Sequence, residues 1–333
     1  MSKPTLGLDI GGANLKAVHS SGQARAVPFA LWKYPERLGT ELKRLCDSVP
    51  AFDRLAVTMT GELCDCFETK REGVKAILRA VRTVAGTTAI WVWTTGGRFL
   101  TLEEANEKPL SAAAANWLAL GYFVGRHFPT ENVVLMDTGS TTTDIVYLRQ
   151  GIPEPRGRTD RERLETGELV YTGVRRTPIC SVLGMSVAAE FFATMHDAYV
   201  VAGLLPEEPD NCDTADGRPA TRENARARLA RMRCADGETF SVGQVRALAE
   251  QALAAQWNAV HRAAASVLRD RPAVQRVVLA GSGEILGRQV AARHPLLTEA
   301  TLVSLADWLG LALSESACAH AVAVLAAQEE FYA

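Results

Sequence analysis

The feature that most constrains the fold is a short pattern that occurs twice, about 128 residues apart: an apolar strand ends at an aspartate, a small polar turn follows, and a second strand returns. In the first copy Asp9 lies at the end of the strand and the chain returns over Asn14–His19. In the second copy Asp137 follows a strand at 132–136, and the return covers 145–148. A repeat at this distance is too long for a solenoid and predicts a duplicated α/β fold.

The length of the chain also favours two domains, because 333 residues exceed the usual size of a single hydrophobic core. We predict a first domain over 1–128, completed by 315–333, and a second over 129–314. The pattern further predicts a helix over 111–125, which is rich in alanine, and a loop over 151–166, which is rich in charge, glycine and proline.

Composition excludes several classes of function. A net charge of -2 gives no general attraction for nucleic acid or for an anionic membrane surface. No apolar run approaches the roughly 20 residues that span a bilayer. The seven cysteines are odd in number and scattered, which indicates reduced thiols and predicts a cytoplasmic protein.

The first turn carries groups suited to phosphate. Gly11 and Gly12 allow backbone N–H groups to approach phosphate oxygens closely, as in an anion-binding nest that also includes Asn14. Asp9 offers a hard oxygen ligand for Mg²⁺, held through water, and Lys16 offers a mobile positive charge. A hairpin turn needs glycine in any case, so a purely structural interpretation has equal weight here.

The second turn is more specific, because a hairpin does not require four consecutive hydroxyls between two carboxylates. We predict that Asp137 is a further Mg²⁺ ligand and catalytic residue, and that the turn binds phosphate or diphosphate. The residues predicted to bind there are Thr138, Gly139, Ser140, Thr141, Thr142 and Asp144. A third glycine turn, Gly281-Ser282-Gly283, follows a strand at a predicted helix start, where anions are commonly bound.

The order of these three turns, with alanine-rich helices around Asn116 and His320, resembles the superfamily of actin, Hsp70, hexokinases and acetate kinase. The resemblance covers essentially the whole chain. It implies an α/β fold of two ribonuclease-H-like lobes with a central cleft, in which two phosphate loops and an adenosine loop are joined by hinge helices.

Three further segments resemble a narrower family. They are residues 58–74, residues 166–178, and residues 215–220 followed by 228–231. They are similar to hydantoinase-related proteins found beside tetrahydromethanopterin-linked one-carbon genes, a family that includes methanofuran synthases and bacterial relatives associated with methylofuran. The resemblance implies a transferase that condenses a furfuryl diphosphate with the phenol of a tyramine- or tyrosine-type acceptor and releases diphosphate. Mg²⁺ is implied as cofactor, and ATP is not.

Within the segment 58–74, Glu62 or Asp65 is a candidate base for the phenol, and Lys70 is a candidate partner of the diphosphate. Each also has a plain interpretation, as a loop hydrogen bond or a solvated charge. Residues predicted to contact substrate are Thr60, Asn116, Tyr171 and Arg175. Cys64 and Cys66 have no second pair at ligand spacing, so ordinary thiols are favoured over zinc.

Two other functions stay open at this point. One is an ATP-dependent small-molecule kinase or a hydantoinase-like enzyme, which would bind ATP through the turn at Gly281. The other is a nucleotide-gated regulator. The predicted partners are small-molecule substrates, without nucleic acid or membrane. The acceptor phenol and the oligomeric state are left open, with a homodimer as one alternative.

Overall fold

The computed structural model describes residues 3–328, which form two β-sheets covered by helices. The strands are β1 Thr5–Ile10, β2 Asn14–His19, β3 Ala24–Pro28, β4 Arg54–Met59, β5 Ala89–Trp93, β6 Phe99–Thr101, β7 Val133–Thr138, β8 Thr143–Arg149, β9 Ile152–Pro153, β10 Leu169–Val170, β11 Arg276–Ala280 and β12 Thr301–Ser304. The helices are α1 Leu38–Asp47, α2 Lys70–Ala85, α3 Leu102–Glu107, α4 Asn116–His127, α5 Asp160–Thr166, α6 Ile179–Leu183, α7 Met195–Val201, α8 Arg222–Arg231, α9 Val242–Leu268, α10 Glu284–Ala291, α11 Leu305–Leu309, α12 Leu311–Glu315 and α13 Ala317–Gln328.

Both sheets have the same strand order. The first runs β3-β2-β1-β4-β5-β6, and the second runs β10-β8-β7-β11-β12 with β9 paired to β8. Numbered in chain order within each sheet, with the edge strands β6 and β9 left out, both orders are 3-2-1-4-5, which is the order of a ribonuclease-H-like sheet. In the first sheet β2 is antiparallel to β1, and β4 and β5 continue in parallel. The duplicated α/β fold predicted from the repeated strand, aspartate and turn is therefore confirmed.

Contacts between residues divide the described chain into two compact units. The first contains residues 3–135, 146–163 and 303–328, and the second contains 136–145 and 164–302. The domain boundaries predicted from the sequence stay a prediction.

The core of the first unit is built on β1 and β4, in which every residue is buried. Central parallel strands are covered on both faces, and their residues therefore read as nearly continuous apolar runs. Helix α13 packs directly on β1, where a side chain at Gly7 would collide with the backbone carbonyl of Ala319. The small residues of α13 allow this close approach.

The core of the second unit is organised around the long helix α9, which packs against α6, α7, α8 and α10. It contains a buried polar chain: Tyr199 donates to Gln256, whose amide donates to the Thr172 hydroxyl and to the Gly173 carbonyl, each at 2.8 Å. Buried polar groups are stabilising only when they are paired, so this chain fixes the backbone at 172–173.

Two predicted elements were wrong in their extent. The helix predicted over 111–125 begins only at Asn116, because Ala112–Ala115 form a turn in which Ala114 has a left-handed φ of 46°. The loop predicted over 151–166 contains β9 and the helix α5. In addition, Asp137 and Thr138 belong to β7, so the second turn is shorter than predicted.

Candidate active site

The first turn joins β1 to β2 and is held by bonds to its own carbonyls. The Gly11 N–H donates to the Asn14 carbonyl at 3.0 Å, and the carbonyls of Gly12 and Ala13 accept from the amides of Leu31 and Phe29, both at 2.9 Å. Among residues 3–328, the amides of Gly12 and Ala13 have no hydrogen-bond acceptor. The tip of the turn therefore presents donors, as an anion-binding nest does.

The second turn joins β7 to β8 and repeats this arrangement. The Gly139 N–H donates to the Thr142 carbonyl at 2.9 Å, and the amides of residues 174–176 donate to the carbonyls of Gly139 and Ser140 at 2.9 to 3.2 Å. Within the described chain, the amides of residues 140–142 have no acceptor. The segment 166–178 thus binds the carbonyls of this turn, and the N–H groups and hydroxyls of the turn remain as donors.

The third turn, at Gly281-Ser282-Gly283, packs against the second. The Gly283 amide donates to the Thr138 carbonyl at 2.9 Å. A side chain at Gly281 would meet both that carbonyl and the Asp137 carboxylate, and its φ of 83° also favours glycine. The sequence predicted this turn from its glycines, and the structure places Gly281 and Gly283 next to Thr138, with Gly281 also beside Asp137.

Glu62 lies directly beside the first turn. The amides of Thr60 and Gly61 both donate to the Ile10 carbonyl at 3.0 Å, and a side chain at Gly61 would contact the backbone of Gly11. The Glu62 side chain is 1% exposed. Its Oε2 atom has no hydrogen-bond partner among residues 3–328, which is unusual for a buried carboxylate.

Burial raises the pKa of Glu62 to about 7, because the charged form loses its hydration. Hydrogen bonds from backbone amides, including that of Ala114, and the charge of Lys70 oppose the rise without cancelling it. The Lys70 Nζ atom lies 3.9 Å from Glu62 and 3.0 Å from Asp160. A carboxylate with a pKa near 7 is suited to general acid or base catalysis at neutral pH.

The other residues predicted in this segment have different surroundings. Asp65 and Thr60 are exposed, and Cys64 contacts the first turn at Gly12. The carboxylates of Glu62 and Asp65 therefore differ in burial, and Glu62 is the better candidate for a base.

Lys16, the cation predicted beside the first turn, donates to the main-chain carbonyl of Glu315 at 2.6 Å.

The residues predicted to contact substrate are spread over both units. Asn116 is the first residue of α4 and is partly exposed, and Tyr171 is 69% exposed beside β10. Arg175 makes a bidentate pair with the Glu208 carboxylate at 2.6 and 2.9 Å. The Arg175 hydrogen bond, followed by that of Asn211, overcomes desolvation and lowers the pKa of Glu208 to about 2.

Sequence reasoning missed the pairing of several buried or partly buried polar residues. Arg228 is fully buried and bonds to Asp197 at 2.8 Å and to Asp216 at 2.9 Å. The segments 215–220 and 228–231, singled out as family-like, thus meet through an ion pair. Asp160 was missed because it contacts Lys70 from 90 residues away.

The described residues contain no cluster of three or more His, Cys, Asp or Glu side chains placed to hold a metal ion. A Mg²⁺ ion needs no such cluster, because it commonly keeps several waters and binds through one or two carboxylates. Asp9 and Asp137, each at a strand end beside a donor-rich turn, fit that mode of binding. No helix in the described part of the chain is long and apolar enough to cross a membrane.

Comparison with known proteins gives the family. The family model described as Hydantoinase/oxoprolinase matches residues 53–327, and the chain belongs to this family. The chain is 37% identical over 246 residues to a protein of Methanocaldococcus jannaschii named (4-{4-[2-(gamma-L-glutamylamino)ethyl]phenoxymethyl}furan-2-yl)methanamine synthase, covering 70% of this chain and 72% of that one. It is 27% identical over 207 residues to the protein of the same name from Methanococcus vannielii, covering 60% of this chain and 92% of that one.

Among solved structures, nucleotide-free acetone carboxylase resembles the chain with a TM-score of 0.50 and 10% identity, covering 97% of this chain and 70% of that one. At this identity the likeness concerns the fold alone. The family and fold predicted from the sequence are confirmed.

Proposed function

We propose that the protein is a transferase of furan coenzyme biosynthesis that forms an aryl furfuryl ether and releases diphosphate. The name of its archaeal relatives describes a product in which a phenol oxygen is joined through a methylene to a furan ring. Making that bond requires a phenol as nucleophile and a furan methylene that carries a leaving group. The relatives' names support the pathway, and the residues around the first turn support the chemistry.

The observation that carries this proposal is the buried Glu62 carboxylate with its elevated pKa beside a donor-rich turn. The phenol has a reference pKa near 10, so it needs a base at neutral pH. Glu62 accepts the phenol proton, and the phenol oxygen forms the new bond to the furan methylene. The carbon–oxygen bond to diphosphate breaks at the same carbon, and diphosphate leaves with the electron pair.

The departing diphosphate is the place where negative charge develops, and fixed donors aimed at such a charge are a large source of catalysis. The amides of Gly12 and Ala13 in the first turn, which lies beside Glu62, would supply these donors. Asp9 would hold Mg²⁺ through water beside the first turn, and that ion would neutralise part of the diphosphate charge.

The test is a reaction without ATP. The purified protein is incubated with [5-(aminomethyl)furan-3-yl]methyl diphosphate, Mg²⁺ and a phenol of the tyramine or tyrosine type, after treatment with apyrase to remove residual nucleotide. We expect ether product by mass spectrometry and diphosphate release in equal amounts. A strict requirement for ATP, or phosphate attached to either substrate, would contradict the proposal and indicate a kinase.

A further inference from the structure

The surroundings of Glu62 contain a cation that is bound by another carboxylate. Lys70, the first residue of α2, lies 3.0 Å from Asp160 and 3.9 Å from Glu62. The closer contact is the ion pair with Asp160, which is the first residue of α5. Asp160 thus largely neutralises the positive charge of Lys70, and the effect of that charge on Glu62 is reduced.

The same short helix supports the other side of Glu62. Arg163 is 1% exposed and stacks over the ring of Trp117, 3.9 Å from its centroid. The Trp117 Nε1–H donates to the Ala114 carbonyl at 2.8 Å, and the Ala114 backbone amide lies close enough to Glu62 to oppose the rise in its pKa. This contact holds Ala114 in its left-handed conformation, which costs energy for a residue with a side chain.

Asp160 and Arg163 are three residues apart, so they lie on the same face of α5. Asp160 contacts Lys70, the cation beside Glu62. Arg163 contacts the ring of Trp117, which in turn bonds to Ala114 beside Glu62. These contacts close a loop of interactions around one carboxylate, entirely within residues 62–163.

We propose that α5 is a positioning element, in which Asp160 holds Lys70 away from Glu62 so that the Glu62 carboxylate stays able to accept a proton instead of being fixed in an ion pair. This inference rests on the proposed role of Glu62 as a base and deepens it. Asp160 touches no reacting atom and acts through Lys70.

The charged groups that face Glu62 come from two helices. They are Lys70 of α2 and Asp160 of α5, while Arg163 is directed to Trp117 and the turn Ala112–Ala115 carries no charge. Opposite charges within about 4–6 Å lower the pKa of a carboxyl group by about 1–3 units. Removing Asp160 leaves the charge of Lys70 unbalanced and should lower the pKa of Glu62. Removing Lys70 should raise that pKa.

The experiment follows the Glu62 carboxyl directly, without substrate, by ¹³C NMR of protein labelled at the glutamate carboxyl carbon. The Glu62 signal is the one that disappears in Glu62→Gln. In Asp160→Asn we expect its titration midpoint to fall by about one pH unit, and the acid limb of kcat/KM to move by the same amount. The matched control is Glu162→Gln, which removes the same charge from the same turn of α5 and keeps an acceptor for the amides of Arg158 and Thr159. We expect no change there.

A second variant keeps the inference testable if Asp160→Asn does not fold. Lys70→Met should move the midpoint of Glu62 upward, and in that background Asp160→Asn should lower the midpoint by less than it does in the wild-type protein, because only the direct effect of the Asp160 charge on Glu62 is then removed. A folded Asp160→Asn protein with the wild-type midpoint, or a Lys70→Met protein with no shift, would overturn the inference. Failure of the wild-type protein to make ether would instead overturn the proposed function, since the NMR titration needs no turnover.

Discussion

The two donor-rich turns share one backbone pattern and differ in what surrounds them. In both, the first glycine donates to a carbonyl three residues on, and amides from a later segment hold the carbonyls of the turn. The first turn is made of small residues and adjoins the buried Glu62. The second is made of hydroxyl residues and adjoins the Arg175–Glu208 pair. The duplication supplied two similar donor-rich turns, and the buried carboxylate with a raised pKa adjoins only one of them.

The largest effect expected from this difference is on turnover. Glu62→Gln should lower kcat/KM by about 10²–10⁴-fold, which is the usual contribution of a general base. The wild-type rate should fall below pH 7, where Glu62 becomes protonated, and this limb should be absent from the variant. Asp65→Asn, an exposed carboxylate three residues away, is the control. Equal losses in both variants would argue against a specific base.

Glu62→Gln should raise the stability of the protein although it lowers turnover. The pKa of Glu62 rises on folding from 4.5 to about 7, so the native state binds more protons than the unfolded state in that window. The contribution of Glu62 to the free energy of unfolding of the wild-type protein is therefore lost as pH rises from 4.5 through 7. Urea unfolding at pH 8 should show Glu62→Gln more stable by up to about 3 kcal/mol, and the advantage should disappear below pH 4.5. A constant difference at all pH values would contradict the pKa.

Two glycine substitutions test whether an added methyl group disturbs the packing around the second turn more than the packing around the first. At Gly173 an added methyl group would lie 2.5 Å from backbone atoms of Gly139, Ser140 and Thr141, which cannot move independently. We expect Gly173→Ala to lose about 1–3 kcal/mol of stability, as in other overpacked sites, with weaker diphosphate binding by calorimetry.

At Gly12 the added methyl group would meet only the sulfur of Cys64, 2.7 Å away at the end of a movable side chain. Gly12→Ala should therefore cost less than Gly173→Ala. Gly39→Ala in α1 meets nothing within 4 Å and serves as the control. A reversed order of Gly12 and Gly173 would show that the two turns are supported differently from the contacts described.

The smallest effect concerns the pair beside the second turn. Glu208→Gln should change stability at pH 7 by less than about 1 kcal/mol, because the pair is partly exposed to water. Loss of the carboxylate leaves Arg175 without its bidentate partner, so diphosphate should bind somewhat more tightly. Unchanged calorimetric affinity would mean that Arg175 does not reach the anion.

The sequence predicted best where local pattern and fold agree. The bounds of β2 match the predicted return over Asn14–His19, because an apolar run, an aspartate and glycines all indicate the same turn and strand. Residues 112–115 show the opposite case. Alanine favours helix, but the contacts of Ala114 with Trp117 and Glu62 hold it in a conformation that no propensity indicates.

Helix α5 could have been found from the sequence. Thr159 and Glu162 form a reciprocal pair of hydrogen bonds, which is the capping-box pattern of a helix start, but it lies in a stretch with the composition of a loop. The site residues divide in the same way. Glycine turns are visible as local motifs, whereas the choice of Glu62 over Asp65 depends on burial by segments distant in sequence.

The contact of β1 with α13 has a consequence for how the chain folds during synthesis. Gly7 packs against Ala319 and Arg54 donates to the Ala326 carbonyl, so two early strands need a helix made some 300 residues later. Segments 136–145 and 164–302, which form the other compact unit, have all been synthesised before α13 is complete. The fully buried strand β1 consequently spends most of translation without its cover, and the unit that begins the chain is the last to reach its native state.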